Sequence, residues 1–315
     1  MFKPIKKIFS SLTSPESRIS KIRLIACDLD GTLLNGVDMI GKDTAYMIKK
    51  IQNLGIPFII ITRRHHSSVL PYLEDAHLSL PIVSLEGSTF FVSNDTQVIV
   101  NTDLDPEFMI DIIQEVQLNK IVKLCVVTVD KFYVNNDDIE LPVYHEHWNI
   151  ERFKFSNYIE INNKILELII VGDYFSVNSI LKYIESKMKS QELKLRMYEL
   201  KDKLDSWVIE VRSFNSNKEK ALVQIASYYG VKMNEIVGIG DYYNDINFCK
   251  EVGFVVALNN AVKELKAIAD FITTNDFHNE GINEFLEYFL NIHGVEHELK
   301  ILNKKVEDIS RRRSR

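Results

Sequence analysis

The chain has 315 residues, 46% hydrophobic and 26% charged, with a formal net charge of −6. That composition excludes a disordered chain, a collagen-like chain and a disulfide scaffold, and the length predicts two domains or one domain with a large insertion. The charge is uneven: residues 1–20 sum to +3 and residues 304–315 to +4, leaving −13 on the body, which would repel a nucleic-acid backbone.

Met1–Ser20 lacks the continuous apolar run of a secretory signal, yet it sets Ile5, Ile8, Phe9 and Leu12 at helical spacing beside Lys3, Lys6 and Lys7. A frayed extension, a basic amphipathic anchor and an organelle presequence all fit that pattern. From Lys21 the chain alternates short apolar runs with helical spacing. Ile22–Asp28 and Pro57–Thr62 read as strands, with a helix over Asp43–Leu54 between them that stops at Gly55. A helix from Ser67 to Leu73 and a strand over Leu80–Leu85 follow. The same rhythm returns near the end, with helices over Lys218–Tyr229 and Asn244–Glu251 and strands over Ile236–Ile239 and Gly253–Ala257. Segments Val262–Ala267, Phe271–Thr273 and Ile282–His293 continue it. The expected fold is therefore α/β, one doubly wound parallel sheet interrupted in the middle.

The interruption, about Gly87 to Asn215, predicts an α+β insertion with a mainly antiparallel sheet. Hairpins are expected at Phe90–Val92 with Val98–Val100 and at Val122–Val129 with Phe132–Asn135, and helices over Pro106–Leu118 and Phe175–Lys189. Lys164–Val171, Leu193–Tyr198 and Trp207–Val211 read as further strands. Glu140–Phe155 fits no periodic template and contains Trp148; its His145 and His147 read as surface or loop packing, with a ligand role as the alternative. Cys27, Cys125 and Cys249 form no C-x-x-C pair, so neither a disulfide framework nor a zinc site is expected. No apolar run reaches the ~20 residues of a transmembrane segment. These absences predict a cytoplasmic protein with reduced thiols.

The chemistry concentrates in two segments. Asp28-Leu29-Asp30-Gly31-Thr32-Leu33-Leu34 follows the first strand, where an α/β sheet binds its ligands. Two acids one residue apart can converge on a cation while Gly31 turns the backbone; solvated acids in an Asx turn are the alternative. Gly238-Ile239-Gly240-Asp241-Tyr242-Tyr243-Asn244-Asp245 repeats the arrangement after another strand, though Asn244 and Asp245 could equally cap the next helix.

Together these motifs resemble the haloacid dehalogenase (HAD) superfamily, and the large insertion looks like that of its Cof-type (class IIB) phosphatases, which carry a C2-type cap. Gly253-Phe-Val-Val-Ala-Leu-Asn-Asn-Ala, Ala269-Asp-Phe-Ile-Thr-Thr-Asn and Gly281-Ile match that subgroup in its order. The resemblance implies a core of residues 21–86 and 216–292, a cap of residues 87–215, and basic extensions at residues 1–20 and 293–315. It implies Mg²⁺ as cofactor and a small phosphorylated metabolite as substrate. Asp28 would be the nucleophile, which as an anion needs no general base. Asp30 would act as general acid and then base, and Asp28, the Asp30 carbonyl and Asp241 would hold the metal. Asp245 would support that shell. Leu29, Thr62, Lys218 and Asn244 would bind the phosphoryl group. The chain departs from the family where Arg63 follows Thr62 in place of Gly, where Glu219 follows Lys218 in place of Gly, and where Glu86-Gly87-Ser88 replaces Asn-Gly-Ala. Arg63 either keeps the turn despite its Cβ or places a guanidinium over the phosphate. A phosphatase is the expected function; a sugar-phosphate mutase or phosphotransferase and a catalytically weak binding or regulatory protein are the alternatives. The basic ends suit weak contact with an anionic membrane surface, and the sequence carries no mark of oligomeric state.

Overall fold

The computed structural model describes residues 14–92, 97–100, 105–139, 141, 151–161, 164–188, 193–200 and 205–294. The chain divides into two compact units. The first takes the described residues of Met1–Ile61, Tyr72–Pro81 and Leu222–Arg315, and the second those of Thr62–Pro71 and Ile82–Ala221.

The first unit is built on parallel strands in the order Phe271–Ile272, Phe254–Ala257, Ile236–Gly240, Leu24–Cys27 and Phe58–Ile61. The middle three and Phe58–Ile61 are buried along their whole length, which explains their continuous apolar runs. The expected parallel α/β fold is present. Chain order reverses beside Leu24–Cys27, whose neighbours are Phe58–Ile61 on one edge and Ile236–Gly240 on the other. Such a switch point opens a crevice beyond the carboxyl ends of the strands. Cys27 lies opposite Ile239 in the register, so Asp28 and Asp241 leave adjacent strands side by side.

Two local expectations need correction here. The helix expected over Asn244–Glu251 is a 3-10 turn, Tyr243–Asp245, followed by a helix over Ile246–Glu251. The Asp245 carboxylate bonds backward to the amides of Asp241 and Tyr242 rather than capping forward, which tightens that turn. The described part of the N-terminal extension is also not frayed. Pro15–Ile19 is a short helix capped by Ser14, and Ile19 is fully buried. Residues 1–13 and 295–315, with most of both basic ends, lie outside the described residues, as do His145, His147 and Trp148.

The second unit contains an antiparallel set, Ile82–Ser84, Thr89–Val92 and Gln97–Val100, which includes the first expected hairpin. Its six-stranded sheet runs in the order Leu193–Glu199, Trp207–Ser213, Glu167–Gly172, Lys123–Val127, Phe132–Val134, Arg152–Lys154. All pairings are antiparallel except the last, where Arg152–Lys154 adds a parallel strand inside the stretch that fitted no template. Strand alternation gives this sheet two different faces. One buries Leu124, Val126, Leu168, Ile170, Ile209 and Val211 with residues of the helices Pro106–Leu118 and Tyr174–Lys187. The opposite face is apolar at Cys125, Ile169, Val171 and Val208 and charged at Glu167, Glu210 and Arg212. Among the described residues no helix is long and apolar enough to cross a membrane.

Candidate active site

In the first unit, carboxylate oxygens of Asp28, Asp241 and Asp245 come within 4.8 Å of one another. Asp28 and Asp245 are buried and Asp241 is half-buried. Asp28 and Asp241 each follow a strand end, and Asp245 closes the 3-10 turn after the second strand. The Asp28 amide donates to Ile239 O at 2.9 Å, continuing the ladder one residue past the strand. Asp245 Oδ2 accepts from the Asp241 amide at 3.0 Å and the Tyr242 amide at 3.1 Å. Asp241 in turn accepts from Thr32 Oγ1 at 3.1 Å and from Asn260 Nδ2 at 3.1 Å, and the same Asn260 amide group donates to Gly31 O at 2.9 Å. One Asn therefore ties the two acidic segments together.

Two glycines make the approach close. Gly31 has φ +77°, and a Cβ there would stand 2.6 Å from Asp241 Oδ2. A Cβ on Gly240 would meet the Asp245 carboxylate at 2.7 Å. Carboxylates crowded this way repel, at about 4 kcal/mol per pair near 4 Å for an effective dielectric of about 20. A small hard cation with oxygen ligands relieves that repulsion, so the residues fit Mg²⁺. Asp245 stands with Asp28 and Asp241 in this group, whereas the side chain of Asp30 is exposed. Asn244 is half-buried and Leu29 fully buried. Thr32 and Asn260 carried no assignment from sequence; Asn260 sits in the matched Leu258-Asn-Asn-Ala segment, directly after a strand end, and that position was the available signal.

The second unit gathers Thr62, Arg63 and Lys218. Thr62 is buried; its amide donates to Val83 O at 2.8 Å, and its Oγ1 accepts from the Arg64 amide at 3.1 Å. Lys218 opens the helix Lys218–Tyr228 and is 3% exposed, so it is not a solvated helix-start lysine. Arg63 binds Glu86 through Nε at 3.1 Å and Glu210 through a terminal nitrogen at 3.2 Å. Its guanidinium is thus shared between two carboxylates. Arg212 joins the same network, at 2.7 Å from Glu210, 3.2 Å from Glu167 and 3.8 Å from Glu86. Burial alone would push the Glu86 carboxyl up, but Arg212, Arg63, Lys218 and Lys194 outweigh it and hold it below its usual range. Sequence reasoning missed this network because its members are scattered over four segments.

A parallel α/β sheet with carboxylates gathered beyond two adjacent strand ends places the chain in the class of α/β folds that carry their chemistry at a topological switch point. The profile of the haloacid dehalogenase-like hydrolase family matches residues 25–286. The chain is 28% identical over 294 residues to the 5-amino-6-(5-phospho-D-ribitylamino)uracil phosphatase YwtE of Bacillus subtilis, covering 86% of this chain and 99% of that one. It is 25% identical over 273 residues to a phosphoglycolate phosphatase of Methanobrevibacter smithii, covering 85% and 99%. The solved structure of TM0651 from Thermotoga maritima superposes with a TM-score of 0.72 at 24% identity, covering 85% and 97%. The chain belongs to the haloacid dehalogenase-like hydrolase family, in its Cof-type branch, and is a phosphoric monoester hydrolase.

Proposed function

We propose that the protein hydrolyses small phosphomonoesters through an aspartyl-phosphate on Asp28, with Mg²⁺ as cofactor. The observation that carries this reading is the convergence of Asp28, Asp241 and Asp245 within 4.8 Å. Asp28, the Asp30 carbonyl and Asp241 would hold the cation, with Asp245 behind them; when bound it supplies charge neutralisation and orientation at the phosphoryl group. Asp28 attacks phosphorus in line, the ester P–O bond breaks, and Asp30 gives its proton to the leaving alkoxide. Asp30 then takes a proton from water, which attacks the aspartyl-phosphate, releases orthophosphate and restores Asp28. Thr62 and Lys218 are assigned to the phosphoryl oxygens, with the Leu29 amide and Asn244 in the same role. Arg63 is assigned differently from the sequence expectation: its two carboxylate partners favour a positioning role.

The inserted segment 87–215 would choose the leaving group as a cap. The relatives act, by their names, on a ribitylaminouracil phosphate and on phosphoglycolate, which supports a small soluble metabolite as substrate here. Buried, unbridged Cys27, Cys125 and Cys249 go with a reducing compartment such as the cytoplasm.

The test is phosphate release from sugar phosphates, nucleotides and short-chain phosphoesters, with Mg²⁺ and with a chelator. Turnover should require the metal and fall at least about 10³-fold in Asp28→Asn. Undiminished turnover by Asp28→Asn would refute the mechanism.

A further inference from the structure

The charged face of the six-stranded sheet has more cations than its own carboxylates can use. Alternation along the edge strand Leu193–Glu199 places Lys194, Arg196 and Tyr198 on one face, opposite Arg212, Glu210 and Val208 respectively. The next strand brings Glu167 opposite Arg212. Three carboxylates serve this region, Glu86, Glu167 and Glu210, and Arg63 and Arg212 engage all three. Glu210 also accepts from Tyr198 Oη at 2.6 Å.

Lys194 and Arg196 remain. Neither forms an ion pair with a carboxylate among the described residues. Lys194 Nζ donates to Ser216 O at 2.5 Å, two residues before Lys218. The Arg196 guanidinium is exposed and lies over the Tyr198 ring at 4.8 Å. An aromatic face holds a guanidinium in place while leaving its N–H edge able to bind an acceptor. Burial, and then the nearby charges of Arg63 and Arg212, make both side chains less basic than usual, for Lys194 against the pull of Glu86. An incoming anion would relieve that crowding.

We propose that Lys194, held to the backbone at Ser216, and Arg196 form an anion subsite for a second acidic group, carboxylate or phosphate, on the leaving group of the substrate. The inference rests on the phosphatase reading above and narrows its substrate class to esters with two acidic groups. A planar guanidinium paired with a carboxylate or phosphate makes charge-assisted hydrogen bonds, about twice as strong as neutral ones. Neutral leaving groups gain none of this.

Matched esters test it. Phosphoglycolate is compared with 2-hydroxyethyl phosphate for the carboxylate, and fructose 1,6-bisphosphate with fructose 6-phosphate for the second phosphate. At least one acidic member should exceed its neutral partner about tenfold or more in kcat/KM, and which pair responds names the acidic group. Arg196→Gln and Lys194→Gln should each cut that ratio to about twofold, mainly through KM, and Arg196→Lys should retain most of it. Thermal melts check folding, and Arg196, exposed on an edge strand, is the safer variant. Preference for the neutral member in both pairs, or a ratio that neither variant moves, overturns the subsite while leaving the phosphatase intact. If no ester is turned over, the phosphatase reading fails instead. Calorimetric binding of phosphoglycolate and fructose 1,6-bisphosphate then decides the subsite: about tenfold weaker binding by Arg196→Gln for either ester supports it, and equal binding of both by the two proteins refutes it.

Discussion

Arg63 Nε lies 3.1 Å from Glu86 Oε1, so two departures from the family pattern, Arg for Gly after Thr62 and Glu for Asn before Gly87, neutralise each other. The backbone repeats the link: the Glu86 amide donates to Thr62 O at 3.0 Å and the Leu85 amide to Arg64 O at 3.1 Å. Leu85 and Glu86 both sit in the left-handed region, at φ 50° and 54°, a conformation that costs non-glycine residues about 1–2 kcal/mol each. The ion pair helps to hold that turn. Arg63→Gln and Glu86→Gln should each destabilise the protein by about 1–3 kcal/mol, because each leaves a partly buried charge behind. The double variant should lose about 1–2 kcal/mol less than the sum. Urea denaturation of all four proteins measures this, and strict additivity would show that the pair is incidental.

Gly31 offers a metal-sensitive test. In Gly31→Ala the new Cβ would crowd Asp241 Oδ2 from 2.6 Å and would have to adopt φ +77°. Displacing the carboxylate proposed to hold the cation should raise the Mg²⁺ concentration for half-maximal activity about tenfold or more. The variant should also lose about 1–2 kcal/mol of stability without metal. A Mg²⁺ titration of phosphate release that overlays the wild type would show that Asp241 does not need that approach.

The acidic cluster was legible in the sequence because each of its two motifs is local. Asp28 and Asp241 each follow a short apolar run and precede a glycine turn or a polar turn, so strand-end placement could be read from one dimension. Asp245 was legible as a support of the same shell, but its backward bonds to two amides were not, because they depend on a turn that a helical pattern hides. Nothing local in the sequence links Arg63 to Glu210, 147 residues away, or Arg212 to Glu167. Pairing of scattered charges is a product of sheet register, and register was the part that periodicity could not supply. The strand Arg152–Lys154 escaped for a related reason: its middle residue is half-buried and its outer two are exposed, so it shows almost no apolar signal.

His65 and His66 make stability depend on mildly acidic pH. His65 is buried, with Nε2 on Val129 O at 2.9 Å, and burial followed by the neighbouring His66 holds it well below its usual range. His66 stacks on Phe91 with ring centroids 5.1 Å apart, its Nδ1 has no hydrogen-bond partner, and burial lowers it to about 4. A histidine whose folded value is depressed favours the unfolded chain once that chain can bind the proton. Stability should therefore be complete above about pH 6.5 and fall as pH drops toward about 4. His66→Phe keeps the stack and removes the titration. It should match the wild type within about 1 kcal/mol at pH 7 and exceed it by about 2 kcal/mol at pH 4.5. Denaturant midpoints at the two pH values decide, and a parallel acid loss in both proteins would exclude His66 as a cause.

The segment before the first strand is a structural clamp. Arg18 holds Asp270 through two bonds of 2.7 Å, donates to Gly253 O, and lies over the Phe254 ring at 5.1 Å. Asp270 Oδ2 also accepts from the Val255 amide at 3.0 Å, so one carboxylate secures both the clamp and a core strand. Tyr288 donates to Glu16 at 3.1 Å, and His293 Nε2 meets Ile19 O at 2.9 Å, so the helix over residues 282–294 is fastened to the same segment. Removing Arg18 leaves Asp270 with its amide bond but without its cation. Arg18→Ala should cost about 1–2 kcal/mol and lower Tm by about 2–3 °C. Truncating residues 1–20 should lower Tm further than truncating residues 1–13, and by more than the Arg18→Ala loss, because Ile19 is buried too. Thermal melts of the three proteins order these effects. Equal melting temperatures for the two truncations would mean that Pro15–Ile19 contributes nothing to the fold.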